Sequence, residues 1–337
     1  MIRILNFIPN LNMNGHAMCK FCLSAVKDYS RHEITNCGMN DINNYDLDNY
    51  DIIHVHQVPQ PQFFETDAKI IYDLHNFSLS CPVGNNICQI VNKYLENPLI
   101  CTNCLGNIGT FTGFRNMESI IRITKRADIL AVHSDFMKEY YHTWNPIMLP
   151  LLLQTDLLMP CFDKEDYILY TGRLSFDKNP WGFVKIVEKS GYKGKMILYT
   201  LSEDIAGTER HYSDLIEYIK NHKNIELILN PSLQDMIEFV KHARFTVLPY
   251  MFIEPYGLAA ANSVLCGTPL VVFPYGNLRN FTNLLPRTLD EMIKTIKMDD
   301  KEYTYNLEET LKKGNKLRQI HNPENAIKIW DEVYNKL

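Results

Sequence analysis

Short apolar runs alternate with amphipathic stretches along this chain, and the alternation restarts once. A brief β-branched or apolar run followed by a helical pattern is the repeating unit of a parallel sheet covered by helices. In the first half, strands are expected at Ile2–Ile8, Asp51–His56, Ala68–Tyr72 and Ile129–His133, with helices at Met18–Tyr29, Met117–Lys125 and Ser134–His142. The second series begins after Pro160. Its strands are expected at Tyr167–Tyr170, Lys195–Tyr199, Ile225–Leu229, Phe245–Pro249 and Pro269–Phe273. Its helices are expected at Trp181–Lys189, His211–His222, Ser232–Lys241, Gly257–Cys266 and Leu289–Lys297. Ser134 and Ser232 suit N-caps. The restart makes Leu153–Asp166 the linker, and 337 residues suffice for two domains. The last helical pattern, Pro323–Leu337, is apolar at Ala326, Ile327, Ile329, Trp330, Val333 and Tyr334, so one face must be covered. The expected division is 1–155, 156–320, and a terminal helix 321–337 that packs back on the first domain.

Hydrophobic residues make up 46% and charged residues 22%, the balance of a globular protein in water. A net charge of −5 is no footprint for wholesale binding to a nucleic-acid backbone. The opening MIRILNFIP is shorter than a signal peptide's apolar region and reads as a first strand. No apolar run reaches the ~18 residues of a membrane span. A cytoplasmic location is expected, with peripheral membrane contact left open. Nine cysteines, an odd number without a secretion signal, argue against a disulfide framework.

Ligands in open α/β sheets bind beyond the carboxyl ends of strands, near helix N-termini. Two clusters fall there. After Tyr170 the chain reads TGRLSFDKNP, with Gly172, Arg173 and Lys178 on one loop before a helix. A guanidinium forks onto two phosphate oxygens, and a lysine adds a point charge. On charge alone this is a solvated basic loop; between a strand and a helix it suits a diphosphate. Beyond the strand ending at Pro249 the chain reads IEPYGLAAANSVLCGTPLVV. Glu254 sits in the loop, and Gly257 opens a helix whose free N–H groups suit an anion or a sugar hydroxyl. Glu254 also suits simple complementation of the helix dipole.

GRLSFDKNP followed roughly seventy residues later by EPYGLAAANSVLCGTPLVV resembles the retaining glycosyltransferases of family 4, which have the GT-B fold. DIIHVHQ (51–57), YDLHNFSLSCP (72–82), ADILAVHSDFMKE (127–139) and LPLLLQTD (149–156) extend the resemblance over nearly the whole chain. It implies an α/β protein of two Rossmann-like domains facing a central cleft, acceptor-binding first and nucleotide-sugar-binding second. It implies transfer of a sugar from a nucleotide-diphosphate donor with retention of configuration, the leaving phosphate taking the acceptor's proton. Gly15 would approach the donor phosphate, where the family usually has two glycines and this chain has Asn14-Gly15. His75 would lie beside the transferred sugar. Arg173 and Lys178 would hold the diphosphate, with no catalytic metal required, and Glu254 would touch the sugar. Gly172 and the backbone around Tyr256, Gly257 and Leu258 would meet donor oxygens. A second glutamate usually follows the first after seven residues and binds the ribose; that position is Asn262 here. Asn262 offers hydrogen bonds but no bidentate charged acceptor.

Cys81, Cys88, Cys101 and Cys104 lie in a long loop, 81–106, and suit a structural zinc site; four plain thiols are the alternative. Cys19 and Cys22, on one helical face, read as core. His54 and His56 share a strand face and, like His133, read as hydrogen-bonded core residues. Asp46-Leu47-Asp48 reads as solvated surface, and Arg115–Arg126 as a solvated basic helix face. The acceptor is left open among glycan, lipid-linked sugar, protein and modified nucleobase. Two other readings remain: a non-catalytic sugar-nucleotide-binding protein of the same fold, suggested by Asn262, and an epimerase or phosphorylase, whose signatures are not seen.

Overall fold

The computed structural model describes residues 1–8, 24–56, 59–81, 115–199 and 205–337, the last segment by backbone alone over 205–212. The chain divides into two compact units, Met1–Gln154 with Ile320–Leu337, and Thr155–Gln319.

Among the described residues, the first unit holds six strands: β1 (Arg3–Ile8), β2 (Glu33–Gly38), β3 (Ile52–His56), β4 (Lys69–Asp73), β5 (Ile129–Val132) and β6 (Ile147–Met148). They are all parallel, in the order β2-β1-β3-β4-β5-β6. The central strands are buried along almost their whole length, as strands covered on both faces must be. The second unit holds β7 (Tyr167–Arg173), β8 (Lys193–Tyr199), β9 (Ile225–Leu229), β10 (Phe245–Leu248) and β11 (Leu270–Val272), parallel in the order β11-β10-β7-β8-β9. Two α/β units of parallel sheet are what the alternation predicts. The strand β2, the short β6 and the 22-residue helix Asp300–His321 are additions to that reading.

Ser134 and Ser232 cap their helices, accepting from the amides of Met137 and Asp235. The last helix, Pro323–Tyr334, buries Ala326, Ile327, Trp330, Val333 and Tyr334, while Ile329 is exposed, against expectation. Trp330 Nε1 donates to the Pro150 carbonyl at 2.8 Å, and Asp331 accepts from Ser30 Oγ at 2.7 Å. The exposed Asp46 caps a single turn, Leu47–Asn49. Among the described residues, no helix is long and apolar enough to cross a membrane.

His321 begins this return to the first unit. Its Nδ1 donates to the Leu151 carbonyl at 2.8 Å, and burial lowers its imidazole to about 4. The unfolded chain protonates this histidine near pH 6.5. Between about pH 6.5 and 4 the unfolded state therefore binds more protons, and stability falls as pH falls. A His321→Gln variant keeps a donor for Leu151 and removes the titration. It should lose less stability than wild type across that window, by up to about 3 kcal/mol. Identical pH profiles of denaturant midpoint for the two proteins would count against this role.

Candidate functional site

The strand order of the second unit reverses between β7 and β10, and a crevice beyond the carboxyl ends of such neighbours is where this topology binds ligands. Arg173 ends β7. A single turn, Phe176–Lys178, follows, and Asn179 then caps the helix Pro180–Ser190 from a left-handed conformation, φ 51°. The Asn179 side chain accepts from the Gly182 amide at 3.1 Å and donates to the Pro249 carbonyl at 3.0 Å. That clamp ties the loop after β7 to the end of β10. Two further bonds tighten it: Tyr170 Oη donates to the Lys178 carbonyl at 3.2 Å, and Tyr250 Oη to the Thr171 carbonyl.

Lys178 and Glu254 meet here. Lys178 Nζ lies 3.0 Å from Glu254 Oε2, with the two side chains only 11% and 13% exposed. The ammonium also stands over the rings of Tyr250 and Phe252, at 3.9 and 4.1 Å from their centroids. Burial disfavours the Lys178 charge and lowers its pKa, against the pull of Glu254. The aromatic faces and the carboxylate are the compensation a buried ammonium needs. Arg173 is different: 65% exposed, with Nη2 3.8 Å from Asp177 Oδ2. Its guanidinium, exposed and held only at that distance, can reach for an anion. Tyr250, Phe252 and Asp177 were not singled out from the sequence, although aromatic residues just beyond a strand end were a readable signal.

Glu254 is fixed through its backbone. It forms an isolated parallel bridge with Gly276, and its carbonyl accepts from the Asn277 amide at 2.8 Å. Asn277 Nδ2 donates to the Tyr256 carbonyl at 2.7 Å. Gly257, at φ 100°, caps the helix Leu258–Leu265, and no side chain fills the cap. The first-turn N–H groups of that helix carry its positive dipole end and have no intrahelical acceptor. Asn262, on the same helix, has a buried Oδ1 without a hydrogen-bond partner. An orphaned buried acceptor is costly and suits a ligand hydroxyl.

Residues 160–283, which span this whole constellation, match the family described as Glycosyl transferases group 1. No sequence among curated proteins matches the chain. Solved structures match it over its full length. Sucrose-phosphate synthase from Thermosynechococcus elongatus has a TM-score of 0.74 at 12% identity, covering 100% of this chain and 99% of that one. HepE of Anabaena, solved with UDP-glucose, has 0.68 at 12% identity and covers 100% of each chain. A glycosyltransferase from Rickettsia africae has 0.64 at 11%, covering 99% of this chain and 98% of that one. The fold is that of the GT-B glycosyltransferases.

Outside the matched residues 160–283, the first unit gathers a second cluster at the carboxyl ends of β3, β4 and β5. His56 pairs in register with Asp73, and Asp73 with Ala131, two residues before His133. Alternation then puts His54, His56, Asp73 and His133 on one sheet face. Asp73, fully buried, lies within 3.0 to 3.8 Å of four imidazoles, those of His54, His56, His75 and His133. Burial opposes its charge, but His133 and His75 hold its carboxyl well below the usual range. Burial lowers His54 to about 4 and His75 to about 3. Burial also works against a charge on His133, yet Asp73 and the Leu149 carbonyl outweigh it and raise that group. The core reading of His54, His56 and His133 describes their burial and omits their convergence on Asp73.

Of the other expected site residues, Gly15, Cys88, Cys101 and Cys104 lie outside the described residues, as do Cys19 and Cys22. Cys81 is a buried free thiol.

Proposed function

We propose that this protein transfers a sugar from a nucleotide-diphosphate sugar to an acceptor, and that the second unit binds the donor. The carrying observation is the charge arrangement at the β7–β10 crevice. Exposed Arg173, the buried Lys178–Glu254 pair and the open helix N-terminus at Gly257 stand on adjoining loops. As the glycosidic bond breaks, negative charge collects on the leaving diphosphate. Fixed cations and helix N–H groups stabilise that charge without reorganising. Arg173 grips the phosphates, Lys178 offers its ammonium from between two aromatic faces, and Glu254 accepts from sugar hydroxyls. Gly172 and the backbone of Tyr256 and Leu258 border the donor oxygens. Retention of configuration, with the leaving phosphate as base, fits a crevice whose carboxylates, Glu254 and Asp177, are already paired to Lys178 and Arg173. Asn262 takes a ribose hydroxyl on its unpartnered oxygen. The same asparagine favours a second reading, a protein that binds the donor without turning it over.

Thermal stabilisation by a panel of nucleoside diphosphates and their sugars tests the proposal. UDP-sugars come first, because HepE, which shares the fold, was solved with UDP-glucose. A ligand at a hundred times its dissociation constant adds about 2.7 kcal/mol. Arg173→Ala is the matched variant, since an exposed guanidinium can be removed without emptying the core. One nucleotide class should shift the wild type and not the variant, and that donor should then be consumed. A shift without consumption selects the binding-protein reading. No shift with any donor sinks both.

A further inference from the structure

We propose that Asp73 and the imidazoles around it form a binding site for one divalent metal ion of the zinc class, with Asp73 Oδ2, His56 Nδ1 and His75 Nε2 as its ligands. The site lies in the first unit and does not depend on the proposed transferase activity.

Three distances define it. His56 Nδ1 is 3.1 Å from Asp73 Oδ2, His75 Nε2 is 3.8 Å from the same oxygen, and the two nitrogens are 3.0 Å apart. Zinc binds nitrogen and carboxylate oxygen at about 2.0–2.2 Å, so its ligand atoms stand about 3.3 Å from one another. A triangle with the observed edges has a point about 2 Å from all three corners, which is where a zinc ion would sit. His54, His56 and Asp73 form one group of potential ligand atoms lying within 4.8 Å of one another, and Asp73, His75 and His133 form another.

The surroundings need a cation. Both Asp73 oxygens, His54 Nε2 and His133 Nε2 are buried without hydrogen-bond partners. The far nitrogens of the flanking rings are committed elsewhere. His133 Nδ1 faces the Leu149 carbonyl at 3.0 Å, so it must be the donor, and its Nε2 turns toward Asp73 Oδ1 at 3.0 Å. His54 Nδ1 meets Tyr334 Oη at 3.0 Å, leaving Nε2 toward Asp73 Oδ2 at 3.5 Å. Two carboxylate oxygens and several ring nitrogens thus converge on one buried point. The two flanking rings are thereby fixed in place, while the far nitrogen of His56, Nε2, is buried without a partner. Imidazole and carboxylate together suit zinc over calcium or magnesium, which favour all-oxygen sites. Three protein ligands leave a coordination position free, and His75, the least buried of them at 20% exposed, borders it.

The competing occupant is a proton on His133, and the experiment separates the two. The full chain is stripped with chelator, dialysed, and titrated with Co2+ and with Zn2+. Co2+ should develop visible ligand-field bands without the near-ultraviolet charge-transfer band of a thiolate, which distinguishes this site from any at the cysteines. Zn2+ should raise the melting temperature. Both responses should be lost, or need at least tenfold more metal, in His75→Ala, whose part-exposed side chain can be removed without collapsing the core. His56→Gln should behave alike if it folds; if it does not, His75→Ala carries the comparison. No metal response in wild type, a response equal in wild type and His75→Ala, or a thiolate-type cobalt spectrum alone would overturn the proposal.

Discussion

A Lys178→Met variant should transfer sugar about 10²–10³-fold more slowly than wild type at saturating donor, with its core intact. That is the usual cost of removing one group that stabilises charge in the transition state. Methionine suits the substitution because its unbranched side chain keeps contact with the Tyr250 and Phe252 rings that now flank the ammonium. The charge alone is removed. Glu254, only 13% exposed, then loses its ion-pair partner 3.0 Å away, so stability should fall by about 1–3 kcal/mol. Adding Glu254→Gln makes the site neutral and should recover much of that stability while leaving the rate low. The double variant thereby separates charge at the leaving group from charge balance in the fold. A single variant with wild-type kcat would end the assignment of Lys178 to the leaving phosphate.

The sequence exposes most strands of both sheets because they are short apolar runs, and nine of the eleven among the described residues were expected within a few residues of their observed limits. The strand β2 escapes because EITNCG mixes Asn, Cys and Gly into a weak alternation. The helix Asp300–His321 escapes for a different reason. Its buried stripe is Tyr303, Asn306, Thr310 and Gly314, mostly polar or small, so no apolar periodicity marks it. Asn306 and Thr310 satisfy their own polar groups on the carbonyls four residues back. A side chain at Gly314 would stand 2.5 Å from the Val264 carbonyl, so this helix runs close against its neighbour. Arg173, Lys178 and Glu254 were legible as charged residues at or just past strand ends. That Lys178 and Glu254 form a pair was not, because the pairing depends on β7 and β10 being neighbours. The Asp73 cluster was hidden in the same way. His54, His56 and His133 each look like a lone core residue until the register of β3, β4 and β5 gathers them, with His75 from the loop after β4, around one carboxylate.

Gly276→Ala should both destabilise the protein and impair transfer, although residue 276 carries no reactive group. Gly276 adopts φ 64° and ψ −139°, a region essentially closed to residues with a Cβ. An alanine Cβ would also stand 2.3 Å from the Glu254 carbonyl oxygen and 2.7 Å from its amide nitrogen. Those are backbone atoms, so rotating a side chain cannot relieve the contact. The segment carrying Glu254 must move, and with it the bridge to residue 276 and the bond from Asn277. Backbone strain and overpacking together predict a loss of about 2–4 kcal/mol. Displacing Glu254 by even an ångström separates it from Lys178, and misplacement on that scale can cost about 10²-fold in rate. Gly191→Ala is the control. Gly191 also has positive φ, 86°, but nothing lies within 4 Å of its Cβ position. That variant should pay strain alone, about 1 kcal/mol, and keep its kcat. Equal melting temperatures and equal rates for the two alanine variants would mean that Gly276 merely permits a turn. A larger stability loss with a rate defect confined to Gly276→Ala would mean that the 254–276 bridge holds the Glu254 carboxylate in place for catalysis.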